Sequence, residues 1–192
     1  MILLVDLCWK EDSLSTYEFV HPIRRVLLDA GIKVHTLHYT QFDGAIPASV
    51  RGVILCGTAM ADNGFSADIE RFGWIRECTV PVLGICAGMQ VIAAVFGGSI
   101  VPGTAIGMTE VRPVRSGGLL GGRERFNAYE LHSSSVRPPE DFIVCAVSDG
   151  GVQAIQHPEK EIYGVLFHPE VRNEWLITGF AALVGEGREE GR

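Results

Sequence analysis

The chain has 192 residues, 47% of them apolar, which suits one domain able to bury a sizeable core. A net charge of −7, with no clustered run of Lys and Arg, argues against a nucleic-acid-binding surface. The opening MILLVDL is too short and lacks the basic start of a signal peptide, and no segment reaches the roughly 18 apolar residues of a membrane span, so a soluble, cytoplasmic protein is expected.

Residues 2–7 form a short apolar run suited to a buried parallel strand. Phe19, Val20, Ile23, Val26, Leu27 and Ala30 then recur at helical spacing, with Gly31 as the stop and Pro22 marking either the first turn or a kink. Residues 33–39 alternate like a strand, and 53–56 are a second buried run ending at Gly57. A helix is expected over 66–78, with Ile69, Phe72, Ile75 and Cys78 on one face. VPVLGIC reads as a strand and AGMQVIAAVFGG as a helix stopped by Gly97 and Gly98. This alternation implies an α/β fold, with a mostly parallel open sheet and helices on both faces. The second half is richer in strands: TEVRPV, FIVCAV, VQAIQ and IYGVLF, with a closing helix near 174–184. The expected domain is 1–185, followed by a charged flexible tail over 186–192.

Five cysteines, odd in number and without a CxxC pair, argue against a disulfide framework or a structural zinc site. One of them stands apart. In Gly84-Ile85-Cys86-Ala87-Gly88 an apolar strand leads in and a helix leads out, the arrangement of a nucleophile elbow with Cys in place of Ser. Such a turn lifts the thiol out of the sheet, and the helix N-terminus beyond it favours thiolate and offers N–H groups to an oxyanion.

A thiol nucleophile needs a base, and the tripeptide His-Pro-Glu occurs twice, at residues 157–159 and 168–170. The first lies between two strand patterns and reads as a hairpin turn. His168 closes the apolar IYGVLF, where rigid backbone can aim a side chain, and Glu170 lies near enough to orient its far ring nitrogen. His21 falls in the first helix, and His35 and His38 read as half-exposed strand residues.

With Cys86 and His168-Pro169-Glu170 assembled, the sequence resembles the class I, triad-type glutamine amidotransferases. The family pattern G-x-C-x-G-x-Q is met by Gly84, Cys86, Gly88 and Gln90, and YGVLFHPE is similar to the family strand entering its HPE. His132-Ser133-Ser134-Ser135-Val136 resembles the H-S-x-x-V region, and the likeness runs from Val5 to about Gly179. The resemblance implies the flavodoxin-like fold of the family and hydrolysis of L-glutamine through a γ-glutamyl thioester. It implies Cys86 as nucleophile, His168 as general acid and base, and Glu170 as orienter. It also implies an oxyanion hole from Ala87 and the Gly57-Thr58 loop, and substrate contacts from Gln90, His132, Ser133 and Ser134. No metal or organic cofactor is expected. Ammonia would pass to a separate ATP-dependent synthetase. GMP synthase is the favoured system, because Ile106-Gly107-Met108-Thr109-Glu110-Val111 looks like members grouped with its amidotransferase domain. The anthranilate and carbamoyl-phosphate systems stay open, as do a free-standing γ-glutamyl hydrolase and a non-catalytic regulatory relative. One departure stands out: Thr58 occupies the place of a common second Gly in the family's Gly-Gly-Pro-like loop, which puts that loop's shape in question.

Overall fold

The computed structural model describes residues 1–186. Strands β1 (Ile2–Asp6), β3 (Gly52–Leu55), β4 (Val82–Ile85) and β9 (Ile162–Val165) are buried at every residue, which is why their sequences are apolar runs, broken in β1 only by its last residue, Asp6. With β2 (Val34–His38) they form a parallel sheet. Strands β8 (Gly151–Gln156), β7 (Ile143–Ser148), β5 (Ser99–Pro113) and β6 (Phe126–Arg137) extend it antiparallel. The order is β2-β1-β3-β4-β9-β8-β7-β5-β6.

Alternate side chains of β1 go to opposite layers. Ile2 and Leu4 pack with Ile23 and Leu27 of α1 (His21–Asp29) and with Leu176, Ile177 and Phe180 of α5 (Glu174–Glu186). Leu3 and Val5 pack with Phe72, Ile75 and Met89, the last from α3 (Ala87–Val95). Helices therefore cover both faces, as the alternation of elements implied. Pro22 lies in the first turn of α1, where its missing N–H costs nothing, and a π-type turn over Thr16–Val20 precedes it.

Two expectations need correction. The expected helix over 66–78 is a short α2 (Gly64–Ala67) followed by a 3₁₀ segment, Ile69–Glu77. Ile69, Phe72, Ile75 and Cys78 are spaced by three, and three residues per turn is the 3₁₀ period. The second half also contains a strand that the sequence pattern did not suggest: β6 pairs with β5 along a ribbon from Ser99↔Arg137 to Val111↔Phe126. Short helix α4 (Pro169–Arg172) separates β9 from α5. Apart from Glu186, which ends α5, the expected tail over 186–192 lies outside the described residues.

Candidate active site

Cys86 sits between β4 and α3 with φ 50° and ψ −104°. A side chain other than Gly held at positive φ stores about 1–3 kcal/mol, and it persists only where the surroundings fix it. Here they do. The Cys86 N–H donates to Val165 O at 2.8 Å, tying the elbow to β9. A Cβ on Gly84 would lie 2.4 Å from the Gly88 carbonyl carbon, and one on Gly88 would lie 2.3 Å from Leu55 O. Both glycines of the G-x-C-x-G pattern are therefore required for the turn to pack on its own helix and on β3.

His168 follows the end of β9, and its backbone N–H donates to Tyr129 O at 2.8 Å. Its Nδ1 lies 2.8 Å from Glu170 Oε1, both side chains being 1% exposed. Its Nε2 is 3.4 Å from Leu131 O, and Cys86 Sγ is 3.9 Å from the same oxygen. Gly57 closes the third side: a Cβ there would lie 2.8 Å from His168 Cε1 and 3.5 Å from Cys86 Cβ. Sulfur, imidazole and carboxylate are thus brought together around the Leu131 carbonyl. Burial works against charge on His168, but the Cys86 thiolate and the Glu170 carboxylate outweigh it and hold its pKa well above the ordinary value.

Burial pushes the other four thiols up: Cys8 to about 12, Cys56 well above the ordinary value, and Cys78 and Cys145 in the same direction. None of these four is set up to be a thiolate near neutral pH.

The first His-Pro-Glu has a different job. His157 Nδ1 lies 3.1 Å from the backbone nitrogens of Glu159 and Lys160 and accepts their N–H groups, closing the β8–β9 turn. Its ring packs against Phe96 and Phe142, at the end of α3 remote from Cys86. His38 differs from expectation. It is buried, with Nε2 donating to Cys8 O at 2.7 Å and Nδ1 bonded to Thr40, so it joins the end of β2 to the chain leaving β1.

A narrow cavity of about 40 Å³ opens on Cys86, lined by Thr58, Met60, Ala87, Gln90, His132 and Ser133 among others. Gln90 Nε2 donates to Ser134 O at 2.9 Å, and Ser133 Oγ donates to Met60 O at 3.1 Å. Both ring nitrogens of His132 are engaged, by Gly103 O at 2.8 Å and Glu130 Oε2 at 2.9 Å. Thr58 donates its hydroxyl to Asp62 Oδ2 at 2.8 Å, and the Asp62 N–H returns to Ala59 O. The residue that departs from the family pattern therefore clamps its own loop. Sequence reasoning missed Glu130, Gln153 and Asp62. Only Gln153, a polar residue at an inward position of the apolar VQAIQ, left a visible signal.

The family model described as glutamine amidotransferase class-I matches residues 14–175. The chain belongs to the class I glutamine amidotransferases. This amidotransferase is 32% identical to the A subunit of glutamine-hydrolyzing GMP synthase from Methanopyrus kandleri, over 97% of its own chain and 100% of that relative. It is 33% identical to the protein of the same name from Methanococcus maripaludis, over 90% and 95% of the two chains. Among solved structures, a Thermoplasma acidophilum protein assigned to the same GMP synthase component superposes with a TM-score of 0.83 at 26% identity, covering 99% and 97%. A Thermotoga maritima glutamine amidotransferase shares the fold, with a TM-score of 0.70 at 18% identity over 98% and 86%. Among the described residues of the amidotransferase, no helix is long and apolar enough to cross a membrane.

Proposed function

We propose that this amidotransferase, a single glutaminase unit over 1–185 acting in the cytoplasm, hydrolyses L-glutamine and hands the ammonia to a separate ATP-dependent synthetase of GMP synthase type. The observation that carries the reading is the meeting of Cys86 and His168 at one carbonyl, with Glu170 on the far ring nitrogen. The Cys86 thiolate attacks the side-chain amide carbon, and the oxyanion formed is received by the Ala87 N–H at the start of α3 and by an N–H of the Gly57-Thr58 segment. Imidazolium His168 gives its proton to the departing nitrogen, ammonia leaves, and a γ-glutamyl thioester remains. His168 then takes a proton from water, which attacks the thioester. Glutamate leaves and the thiolate is restored. Glu170 holds the ring and balances its charge throughout.

Gln90, His132, Ser133 and Ser134 form the wall against which the amino-acid end of glutamine rests, Gln90 and His132 mainly by holding that wall in shape. The narrow cavity on Cys86 suits the slender side chain of glutamine. The separate synthetase is supported by relatives of matching length that are named as one component of a GMP synthase. The test is ammonia release from glutamine by the purified protein and by Cys86→Ser, each with and without a GMP-forming synthetase, ATP and xanthosine monophosphate. Turnover that needs Cys86 and rises with the synthetase is expected. Turnover that no synthetase alters would leave the free-standing hydrolase, and ammonia release by Cys86→Ser would end the thiol mechanism.

A further inference from the structure

The ribbon β5–β6 carries the Leu131 carbonyl to the reacting atoms, yet among the described residues its ladder pairs with another strand of the sheet only at Arg112↔Val147 and Pro113↔Ala146, and near Leu131 its backbone is otherwise tied by the His168 N–H to Tyr129 O. Residues 128–132 of β6 are opposite 105–109 of β5, well away from that junction. A buried polar network supplies a tie at this height. Glu130, 2% exposed, accepts from Gln153 Nε2 of β8 at 3.0 Å through one oxygen, and its other oxygen meets His132 Nε2 at 2.9 Å. His132 Nδ1 donates to Gly103 O at 2.8 Å, where the β5–β6 register shifts. Because Gly103 O can only accept, Nδ1 carries a proton, and Nε2 shares the remaining one with the carboxylate. Replacing a buried polar pair of this kind by apolar residues of the same size is often neutral, so stability is a weak account of it.

We infer that Glu130 is a positioning residue for glutamine hydrolysis: through Gln153 and His132 it holds the Leu131 carbonyl where that oxygen meets both the His168 ring and the Cys86 thiol. A carbonyl accepts and never donates, so at 3.4 Å it favours a proton on Nε2 and keeps the ring in line between Glu170 and the sulfur. This deepens the glutaminase reading of the site and rests on it.

Two variants separate the tie from mere bulk. Glu130→Gln keeps both hydrogen bonds, its oxygen accepting from Gln153 and its amide donating to a neutral His132, whereas Glu130→Met keeps the volume and loses both. The readouts are glutaminase kcat and KM, and the rate of Cys86 alkylation by iodoacetamide resolved by mass spectrometry. Glu130→Met is expected to lose about tenfold or more in kcat with KM for glutamine within about threefold, and to slow Cys86 alkylation, while Glu130→Gln stays within about threefold of wild type. Wild-type kcat and alkylation in Glu130→Met overturn the inference, as does a raised KM alone or an equal loss in Glu130→Gln. Should Glu130→Met fail to fold by circular dichroism, Gln153→Leu, which cuts the tie from β8, is held to the same criteria. If wild type releases no ammonia under any condition, the glutaminase reading fails, and the alkylation rates still decide whether Glu130 sets the thiol–imidazole geometry.

Discussion

Replacing Gly57 by Ala puts a methyl group where the structure has no room for it. The new Cβ would lie 2.8 Å from His168 Cε1 and 3.4 Å from its Nδ1, whereas ordinary carbon contact begins at 3.4 Å, a shortfall of 0.6 Å on the ring carbon. Gly57 is not at positive φ, so the backbone accepts Ala and the conflict is purely steric. His168 has little freedom to yield. Its Nδ1 is held at 2.8 Å by Glu170, its backbone N–H by Tyr129 O, and its ring packs at a tilt against that of Phe19, 5.4 Å between centroids. Whichever partner moves, the distance between imidazole and sulfur changes by several tenths of an ångström. Overpacking of this kind costs about 1–3 kcal/mol of stability, and a misplacement approaching 1 Å costs about a hundredfold in rate. Steady-state glutaminase kinetics on protein shown to be folded should therefore find kcat down by about one to two orders of magnitude. Urea unfolding should show a loss of no more than about 3 kcal/mol. Gly57→Ala with wild-type kcat would refute the close approach of Gly57 to the imidazole, and with it the geometry of the whole site.

The strain at Cys86 predicts that Cys86→Gly, free at positive φ, is more stable than Cys86→Ala by up to about 1 kcal/mol in denaturant titration, though both are inactive. Glu170→Gln removes a negative charge that raises the His168 pKa, so kcat should fall and the alkaline limb of the pH profile should move to lower pH. In the intact protein the raised folded value means that the stabilisation from charged His168 is full below its ordinary 6.5 and is lost only as pH rises through the folded value; pH-dependent melting of wild type against Glu170→Gln checks that window. His157→Ala should leave kcat within about twofold and cost about 1 kcal/mol, since it removes a turn closure and not a proton carrier.

The parallel half of the sheet was legible because β1, β3, β4 and β9 are free of polar side chains apart from Asp6 at the end of β1 and the Tyr163 hydroxyl, as central strands buried on two faces tend to be. Cys86 and His168 were legible because the glycines that a tight elbow demands, and the strand that aims the imidazole, lie beside them in sequence. What escaped was held by contacts between distant segments. NAYELHSSSVR offers small and polar residues in place of a strand's usual bulk, and Glu130 and His132 look like surface until Gln153 and Gly103 are seen opposite them. Thr58 looked like a flaw in the oxyanion loop, and only the position of Asp62 shows what its hydroxyl does.

Strand β6 lies at one margin of the nine-stranded sheet, and a margin with free carbonyls is a template on which another polypeptide can build. In this molecule two of those carbonyls, on Tyr129 and Leu131, are taken by the backbone and the ring of His168. The histidine at the centre of the proposed triad also blunts the sheet against its neighbours, so damage that loosens this segment would expose a sticky border as well as disturb the site.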